Sequence, residues 1–339
     1  MSPSITKPVQ ILAKAQSFQT IFSHPKMSIV AEAPGYLQVF SDGSVKRFAP
    51  ETVAASADPS KEFNSKDIVV DPSKPVTARI FIPTAPTSPN SQLPVIVYFH
   101  GGGFCIGSTT WQGYHLFLGG LSVVSQSVVF SFDYRLAPEH PLPAAYDDCY
   151  DSLEWLSRAA DSEPWLQRAD LSRVFLSGES AGGNIAHQVV VRAIRNEACG
   201  VGIKGLLSIH PFFGSEERTE REMDKESTNE VEMNDMFWGL SLPEGSSRDY
   251  YGCNFEAETA AGLGCDEWRR FPATAVYVAG KDFLKERGVM YAEFLRRKGV
   301  RVVRLVEAEG ESHVYHLFGP ESEATGLLLK QMTAFVHGC

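Results

Sequence analysis

The sequence predicts an α/β fold with a mostly parallel central sheet, helices on both faces of the sheet, and a helical cap. Continuous apolar runs alternate with helical patterns from Val95 onward. Strands that are apolar on both faces and separated by helices indicate a parallel sheet that is covered on both sides. One interruption, residues 211–271, is charged in its first half and aromatic later, which indicates an inserted helical cap.

Residues 1–34 are predicted to be an N-terminal extension. No acidic residue precedes Glu32, and three lysines lie among Ser, Thr and Gln, which is typical of an organelle transit peptide. A flexible extension, a segment that packs over the site, or a natural start at Met27 fits the same composition. We therefore expect a cytoplasmic protein, or a plastid protein if residues 1–26 are a transit peptide.

The main domain is predicted to span residues 35–339. Residues 35–48 indicate two short strands joined at Asp42-Gly43, a dipeptide that suits the positive φ angles of a hairpin turn. A strand at 77–82 precedes a Pro-, Ser- and Thr-rich loop at 84–92. Beyond this loop, apolar periodicity predicts strands at 95–99, 127–132, 174–177, 205–209, 274–279 and 302–306, and helices at 116–124, 144–160, from 182, 286–298 and 321–336.

Charge and motif content exclude several classes of function. A net charge of −10 without a basic cluster repels phosphate backbones, so we expect no nucleic-acid partner. No apolar run reaches about 18 residues, so we expect no membrane span. The six cysteines are scattered without C-x-x-C spacing, and H-E-x-x-H and calcium-loop motifs are absent. We therefore expect no metal and no cofactor.

Residues 178–182 match G-x-S-x-G between an apolar strand and an amphipathic helix, which is the context that this nucleophile motif demands. A serine on a sharp strand-to-helix turn has a strained backbone. Side chains two residues to either side would collide, so glycine is needed at both positions. Ser180 is therefore the predicted nucleophile.

The glycine-rich loop HGGGF, residues 100–104, follows another apolar strand. Such a loop can bring backbone N–H groups against a developing oxyanion. A phosphate cradle is the rival interpretation, but residues 101–107 lack the last glycine of G-x-G-x-x-G. We expect Gly102, Gly103 and Ala181 to form the oxyanion hole.

A serine nucleophile needs a general base and an acid that orients the base. In this type of fold the chain order is Ser, acid, His, each after a strand. Asp282 directly follows a predicted strand, and His313 follows the next one. His316 is the rival base. Glu286 is the rival acid, but it falls inside a predicted helix.

The substrate pocket is expected to contain aromatic side chains from the glycine loop and from the insertion. The candidates are Phe104, Phe212, Phe213 and Trp238. They favour a small ester with an apolar acyl group or an aromatic alcohol, although an aromatic side chain in such an insertion is more often part of the core.

Three motifs together resemble those of the hormone-sensitive-lipase family of α/β-hydrolases: HGGGF, DYRLAPEHPLPAA and GESAGGN. Segments such as PFFGSEERT and EGESHVYHLF resemble the plant carboxylesterase branch. The resemblance covers the chain from about Gly35 onward. It implies the same triad and oxyanion hole, and a serine carboxylesterase that hydrolyses small carboxylic esters through an acyl-enzyme on Ser180.

Some relatives in this family are not esterases, so two alternatives remain open. Dehydratase-like lyases and cyclases act on plant specialised metabolites, and gibberellin receptors bind a small hormone but lack the catalytic histidine. His313 argues against a receptor, whereas Ser180 argues less strongly against a lyase. The chain departs from the family pattern at Glu286, where many relatives carry a second aspartate, and we expect a structural role for it.

Overall fold

The computed structural model describes residues 27–85, 92–160, 162–196, 200–257 and 262–339. Residues 1–26 lie outside this range, so the predicted transit peptide is not described. The strands are β1 Ile29–Ala33, β2 Leu37–Phe40, β3 Val45–Arg47, β4 Phe63–Asp71, β5 Val76–Pro83, β6 Leu93–Phe99, β7 Val128–Asp133, β8 Ala169–Glu179, β9 Ile203–Ile209, β10 Ala273–Ala279 and β11 Val303–Ala308. The helices are α1 Gln112–Ser125, α2 Ala144–Ala159, α3 Ala181–Asn196, α4 Thr228–Ser241, α5 Cys265–Arg270, α6 Lys285–Arg297, α7 Tyr315–Phe318 and α8 Glu323–Gly338.

The central sheet has eight strands in the order β11-β10-β9-β8-β6-β7-β5-β4. Strands β6 to β11 are parallel to one another, whereas β5 and β4 are antiparallel additions at one edge. The predicted fold class is confirmed. Strand β4 was not predicted, because its sequence FNSKDIVVD is largely polar, as suits an edge strand with partly exposed residues.

Helices cover both faces of this sheet. Strand β6 shows why its sequence is continuously apolar: Ile96 and Tyr98 join α1 and α8 in one buried cluster, and Val95, Val97 and Phe99 join α2, α3 and α6 in the other. Because side chains alternate across a strand, both sets of residues are removed from water. Full burial of each large apolar side chain contributes about 1.5–3 kcal/mol to stability.

A separate three-stranded sheet, β1-β2-β3, precedes the central sheet in the chain. The predicted turn at Asp42-Gly43 joins β2 to β3, with Gly43 at φ 83°. Strand β1 pairs with β2, and Ala33 is buried. The described structure therefore includes a strand before residue 35, inside the predicted extension, and the sequence pattern did not reveal it.

The predicted cap insertion, residues 211–271, contains α4, α5 and two short 3-10 helices in its described part. A buried ion pair ties it to the main domain, since Arg287 of α6 donates to Glu222 at 2.7 Å. None of the described helices is both long and apolar enough to cross a membrane.

Candidate active site

Ser180 lies on the turn between β8 and α3, with a φ angle of 53°. Two bonds hold this turn against the end of β9: the Ser180 N–H donates to the Ile209 carbonyl at 2.9 Å, and the Phe212 N–H donates to the Ser180 carbonyl at 3.0 Å. A Cβ on Gly178 would lie 2.5 Å from the Gly182 backbone, and one on Gly182 would collide with the Phe99 carbonyl. Both glycines are therefore required sterically.

The structure brings Ser180, His313 and Asp282 into one hydrogen-bonded chain. His313 Nε2 lies 3.1 Å from Ser180 Oγ, and His313 Nδ1 lies 2.7 Å from Asp282 Oδ2. The second oxygen of Asp282 accepts from the Leu284 N–H at 2.8 Å. An Asp282 carboxylate can only accept, so Nδ1 carries the proton and Nε2 is free to accept one from Ser180.

The environment favours the charged forms of the pair. Burial acts to raise the pKa of Asp282, but the neighbouring His313 and the bonds from His313 and Leu284 hold it below its ordinary value. Burial acts to lower the pKa of His313, but the charge and hydrogen bond of Asp282 raise it above its ordinary value. An imidazolium at position 313 is thus stabilised, as a base that takes a proton requires.

The two rival residues have other environments. His316 is fully buried, packs against Phe117 with ring centroids 4.5 Å apart, and does not line the cavity beside Ser180. Glu286 accepts a hydrogen bond from the Arg221 N–H at 3.0 Å and so ties α6 to the cap. Of the two candidate bases and the two candidate acids, His313 and Asp282 have the geometry of a base and its orienting acid.

The glycine loop, residues 100–104, borders the cavity beside Ser180. Gly102 and Gly103 have φ angles of 101° and 57° and line the cavity with Ser180. Ala181 is the first residue of α3, so its N–H has no acceptor within the helix. A Cβ on Gly103 would lie 2.5 Å from the Phe237 ring, so only glycine fits beneath the cap. Gly102, Gly103 and Ala181 therefore lie beside the nucleophile, and their role as an oxyanion hole stays a prediction.

Glu179 is a buried carboxyl group beside the nucleophile that the sequence reasoning missed. It accepts hydrogen bonds from Tyr98 at 2.5 Å, from Tyr114 at 2.6 Å and from the Gly101 N–H. Burial raises its pKa to about 7, although these three donors act to lower it. Glu179 thus holds the glycine loop against the turn of Ser180. A glutamate that ends the apolar strand VFLSGE was the signal for it.

His210 is a second residue that was missed. It has a φ angle of 44°, and its Nδ1 accepts from the Val314 N–H at 3.1 Å, which fixes the loop that carries His313. The ligand atoms of His210, Asp282 and His313 lie within 4.8 Å of one another, a spacing that can hold a metal ion. Asp282 and His313 also bond to each other, and His210 bonds to the Val314 N–H.

Ser180 opens into a cavity of about 770 Å³. Of the predicted pocket residues, Phe212 lines it, whereas Phe104, Phe213 and Trp238 do not and lie in the buried core. Phe212 stacks on Trp238 at 4.4 Å, so the cavity wall rests on that core. The remaining wall comes from the N-terminal part, the start of α1 with the loop before it, the end of β8, α4, the turn before α6 and the segment around α7: Ala33, Pro34, Tyr36, Pro50, Glu51, Ile106, Trp111, Gln112, Gly113, Tyr114, Glu179, Asn229, Glu230, Met233, Asn234, Phe237, Phe283, Leu284, Val314, Leu317 and Phe318.

Comparison with known proteins gives a consistent result. A family profile described as the alpha/beta hydrolase fold matches residues 96–317. The chain is 38% identical over 318 residues to tuliposide A-converting enzyme 1, chloroplastic, of Tulipa gesneriana, covering 91% of this chain and 78% of that protein. It is 36% identical over 326 residues to probable carboxylesterase 6 of Arabidopsis thaliana, covering 91% of this chain and 92% of that protein. Among solved structures, a Pyrobaculum calidifontis esterase superposes with a TM-score of 0.67 at 28% identity, covering 81% of this chain and 85% of that one.

Proposed function

The chain belongs to the alpha/beta hydrolase family matched over residues 96–317, and we infer that it is a carboxylic ester hydrolase. The carboxylesterase and esterase among its relatives support this activity. The observation that carries the mechanism is the position of His313, which contacts Ser180 on one ring nitrogen and Asp282 on the other.

In the first half of the reaction, Ser180 Oγ attacks the ester carbonyl carbon and its proton passes to His313 Nε2. Asp282 stabilises the imidazolium that forms. The N–H groups of Gly102, Gly103 and Ala181 bind the oxyanion. When the tetrahedral intermediate collapses, the bond to the alcohol oxygen breaks and His313 returns the proton to that oxygen. The acyl group is then bound to Ser180.

In the second half, a water molecule attacks the acyl carbonyl and gives a proton to His313 Nε2. The oxyanion rests on the same three N–H groups. Collapse of this intermediate breaks the bond to Ser180 Oγ, which regains the proton from His313. The products are one carboxylic acid and one alcohol per ester, and the enzyme is unchanged.

The nucleophile is tested by Ser180→Ala. We expect the turnover of p-nitrophenyl acetate to fall by about 10⁶-fold, because members of a triad act as a unit. A fluorophosphonate probe should label folded wild-type protein at Ser180 and should fail after denaturation. An active Ser180→Ala variant, or folded protein that neither reacts with the probe nor cleaves short esters, would contradict the mechanism.

A lyase or cyclase is the second candidate, favoured by the relatives named as tuliposide A-converting enzymes. The two reactions differ in the source of oxygen. Hydrolysis in ¹⁸O-labelled water places one labelled oxygen in the acid product, whereas elimination places none. We expect a labelled acid. An unlabelled product formed at a faster rate than ester hydrolysis would favour the lyase.

For the compartment, we propose import into plastids over retention in the cytoplasm. The support is the lysine-containing, acid-free composition of residues 1–26 and the chloroplastic naming of the tulip relative. A fluorescent protein fused after residue 26 should enter plastids, and one fused to a chain that starts at Met27 should stay outside. Cytoplasmic fluorescence of both fusions would overturn this proposal.

A further inference from the structure

One face of the cap helix α4 is turned toward the cavity. Glu230, Met233, Asn234 and Phe237 follow one another at helical spacing, and all four line the cavity. Phe237 packs on Gly103 of the oxyanion loop. Since a helix rises about 1.5 Å per residue, Asn234 lies only about 4.5 Å along the helix axis from that contact.

Asn234 is the unusual member of this face. Its side chain is 3% exposed, and its Oδ1 atom has no hydrogen-bond partner among the described residues. A buried amide without a partner costs about 1–3 kcal/mol, so such groups are retained for a reason. Rotation about χ2 exchanges the amide oxygen and nitrogen, so Asn234 can offer the cavity an acceptor or a donor. A hydroxyl group, which both donates and accepts, is its natural complement.

Glu230 extends the polar strip one turn toward the start of α4. Burial and the Asp282 charge raise its pKa, and Glu230 in turn acts electrostatically on His313. Glu230 is exposed and lines the same cavity as Ser180 and His313. The described residues that line the cavity include two exposed glutamates, Glu51 and Glu230, and no lysine or arginine. Such a cavity repels a substrate that carries a free carboxylate.

We propose that Asn234 and Glu230 form a polar subsite that binds a hydroxyl group of the substrate. The inference rests on the proposed ester hydrolysis and names its substrate class: uncharged esters that carry a hydroxyl group, on the acyl or the alcohol side. Plain alkyl esters leave the Asn234 amide without a hydrogen-bond partner. Esters with a free carboxylate are repelled by the negative charge of Glu230. The rest of the wall, which is largely apolar, holds the carbon skeleton.

The experiment uses matched esters with the full-length enzyme. The alcohol side is tested with glycerol monobutyrate against propyl butyrate, and the acyl side with p-nitrophenyl β-hydroxybutyrate against p-nitrophenyl butyrate. For wild type, we expect kcat/KM to favour the hydroxylated member by about 10- to 100-fold in at least one pair, because the plain ester leaves a buried amide unpaired. Equal values in both pairs would overturn the proposal.

Asn234→Leu keeps the volume of the side chain but removes its polar atoms. We expect it to abolish the preference for the hydroxylated ester while the melting temperature stays unchanged or rises, since an apolar isostere removes the unpaired amide. A purely structural asparagine predicts the reverse: lower stability with the preference intact. That result would refute the subsite.

Glu230→Gln tests the charge. Propyl hydrogen succinate should be a poor substrate of the wild type, and this substitution should improve its kcat/KM relative to propyl butyrate by about tenfold, since the like charge is removed. Glu232→Gln is the matched control, because Glu232 is exposed on the same helix and does not line the cavity. An equal effect of both substitutions would refute the role of Glu230.

Failure of this proposal differs from failure of the proposed function. If the wild type cleaves plain p-nitrophenyl esters in a manner that depends on Ser180, but without preference for a hydroxyl group, only the subsite is wrong. If no ester is cleaved and the fluorophosphonate probe does not react, the ester hydrolysis itself is wrong.

Discussion

The carboxyl edge of the sheet and the cover above it use different means to position side chains. At the edge, Ser180, Asp282 and His313 each follow a parallel strand, and main-chain bonds hold their loops. The non-glycine residues with positive φ include Ser180, His210 and Val314, all at this edge. Strained backbone of this kind persists only where the surrounding structure determines it fully.

In the cover, side-chain contacts add to main-chain bonds such as the one from the Gln112 N–H to the Glu51 carbonyl. Helix α4 rests on the glycine loop through Phe237, and the buried Arg287–Glu222 pair anchors the first part of the insertion. The N-terminal part adds Tyr36 and Glu51, with Tyr36 packed on Trp111 at 5.9 Å between ring centroids. We therefore expect the edge to determine which reaction occurs and the cover to determine which ester enters. Substitutions should separate the two.

The largest effect is expected at the edge. Asp282→Asn should lower kcat by about 10⁴-fold, because Asn presents an amide where His313 needs an acceptor and so favours the wrong tautomer. The measurement is steady-state hydrolysis of p-nitrophenyl acetate. Glu286→Gln is the matched control and should change the rate little, since Glu286 accepts from the Arg221 N–H and not from His313. Reversed effects would show that Glu286 is the acid.

The second-largest effect is expected at the buried Arg287–Glu222 ion pair that anchors the cover. Arg287→Met leaves Glu222 buried without its cation and should lower the free energy of unfolding by about 3–5 kcal/mol, as measured in urea. The control is Arg297→Met, because the Arg297–Glu256 pair is exposed and should contribute less than about 1 kcal/mol. Similar losses in the two variants would mean that burial of the anchor has no particular importance.

The raised pKa of Glu179 predicts a smaller effect, a dependence of the free energy of unfolding on pH. Its pKa is about 7 in the folded protein, above the ordinary value of 4.5. As pH rises between these values, the unfolded chain loses this proton first, so the stability of the folded state falls; above about pH 7 the loss is complete. Relative to Glu179→Gln, wild type should lose about 3 kcal/mol between pH 4.5 and 7.5 in urea titrations. A constant difference across this range would contradict the raised pKa.

The edge was also the part that the sequence could predict. Continuous apolar strands, the G-x-S-x-G spacing and the positions of Asp282 and His313 after strands are local patterns, and the fold brings these three residues together. The sequence did not identify Glu179 and His210 as site residues, because their hydrogen-bond partners, Tyr98, Tyr114 and Val314, are distant in sequence. A charged residue at the end of an apolar strand is a local signal for Glu179, but no local pattern identifies the residues that Glu179 or His210 contacts.

The cover was predicted less well for the same reason. Phe104, Phe213 and Trp238 are as aromatic as Phe212, yet they point into the core, and only tertiary packing decides which ring faces the cavity. Strand β1 is short, with its first residues exposed, so its pairing with β2 left no periodic signal. The sequence therefore predicts a side chain's position poorly where tertiary packing, and not the local backbone, determines that position.

The smallest effect is expected at the N-terminal boundary. A chain that starts at Met27 should retain full esterase activity and its melting temperature, because residues 1–26 lack the periodic apolar pattern that would tie them to the core. A chain that starts at Gly35 is the informative contrast, since it loses strand β1 and, with Ala33 and Pro34, part of the cavity wall. It should raise KM while Ser180 still reacts with a fluorophosphonate. If the Met27 chain loses activity as well, residues 1–26 pack over the site, and the cover extends further than the described residues.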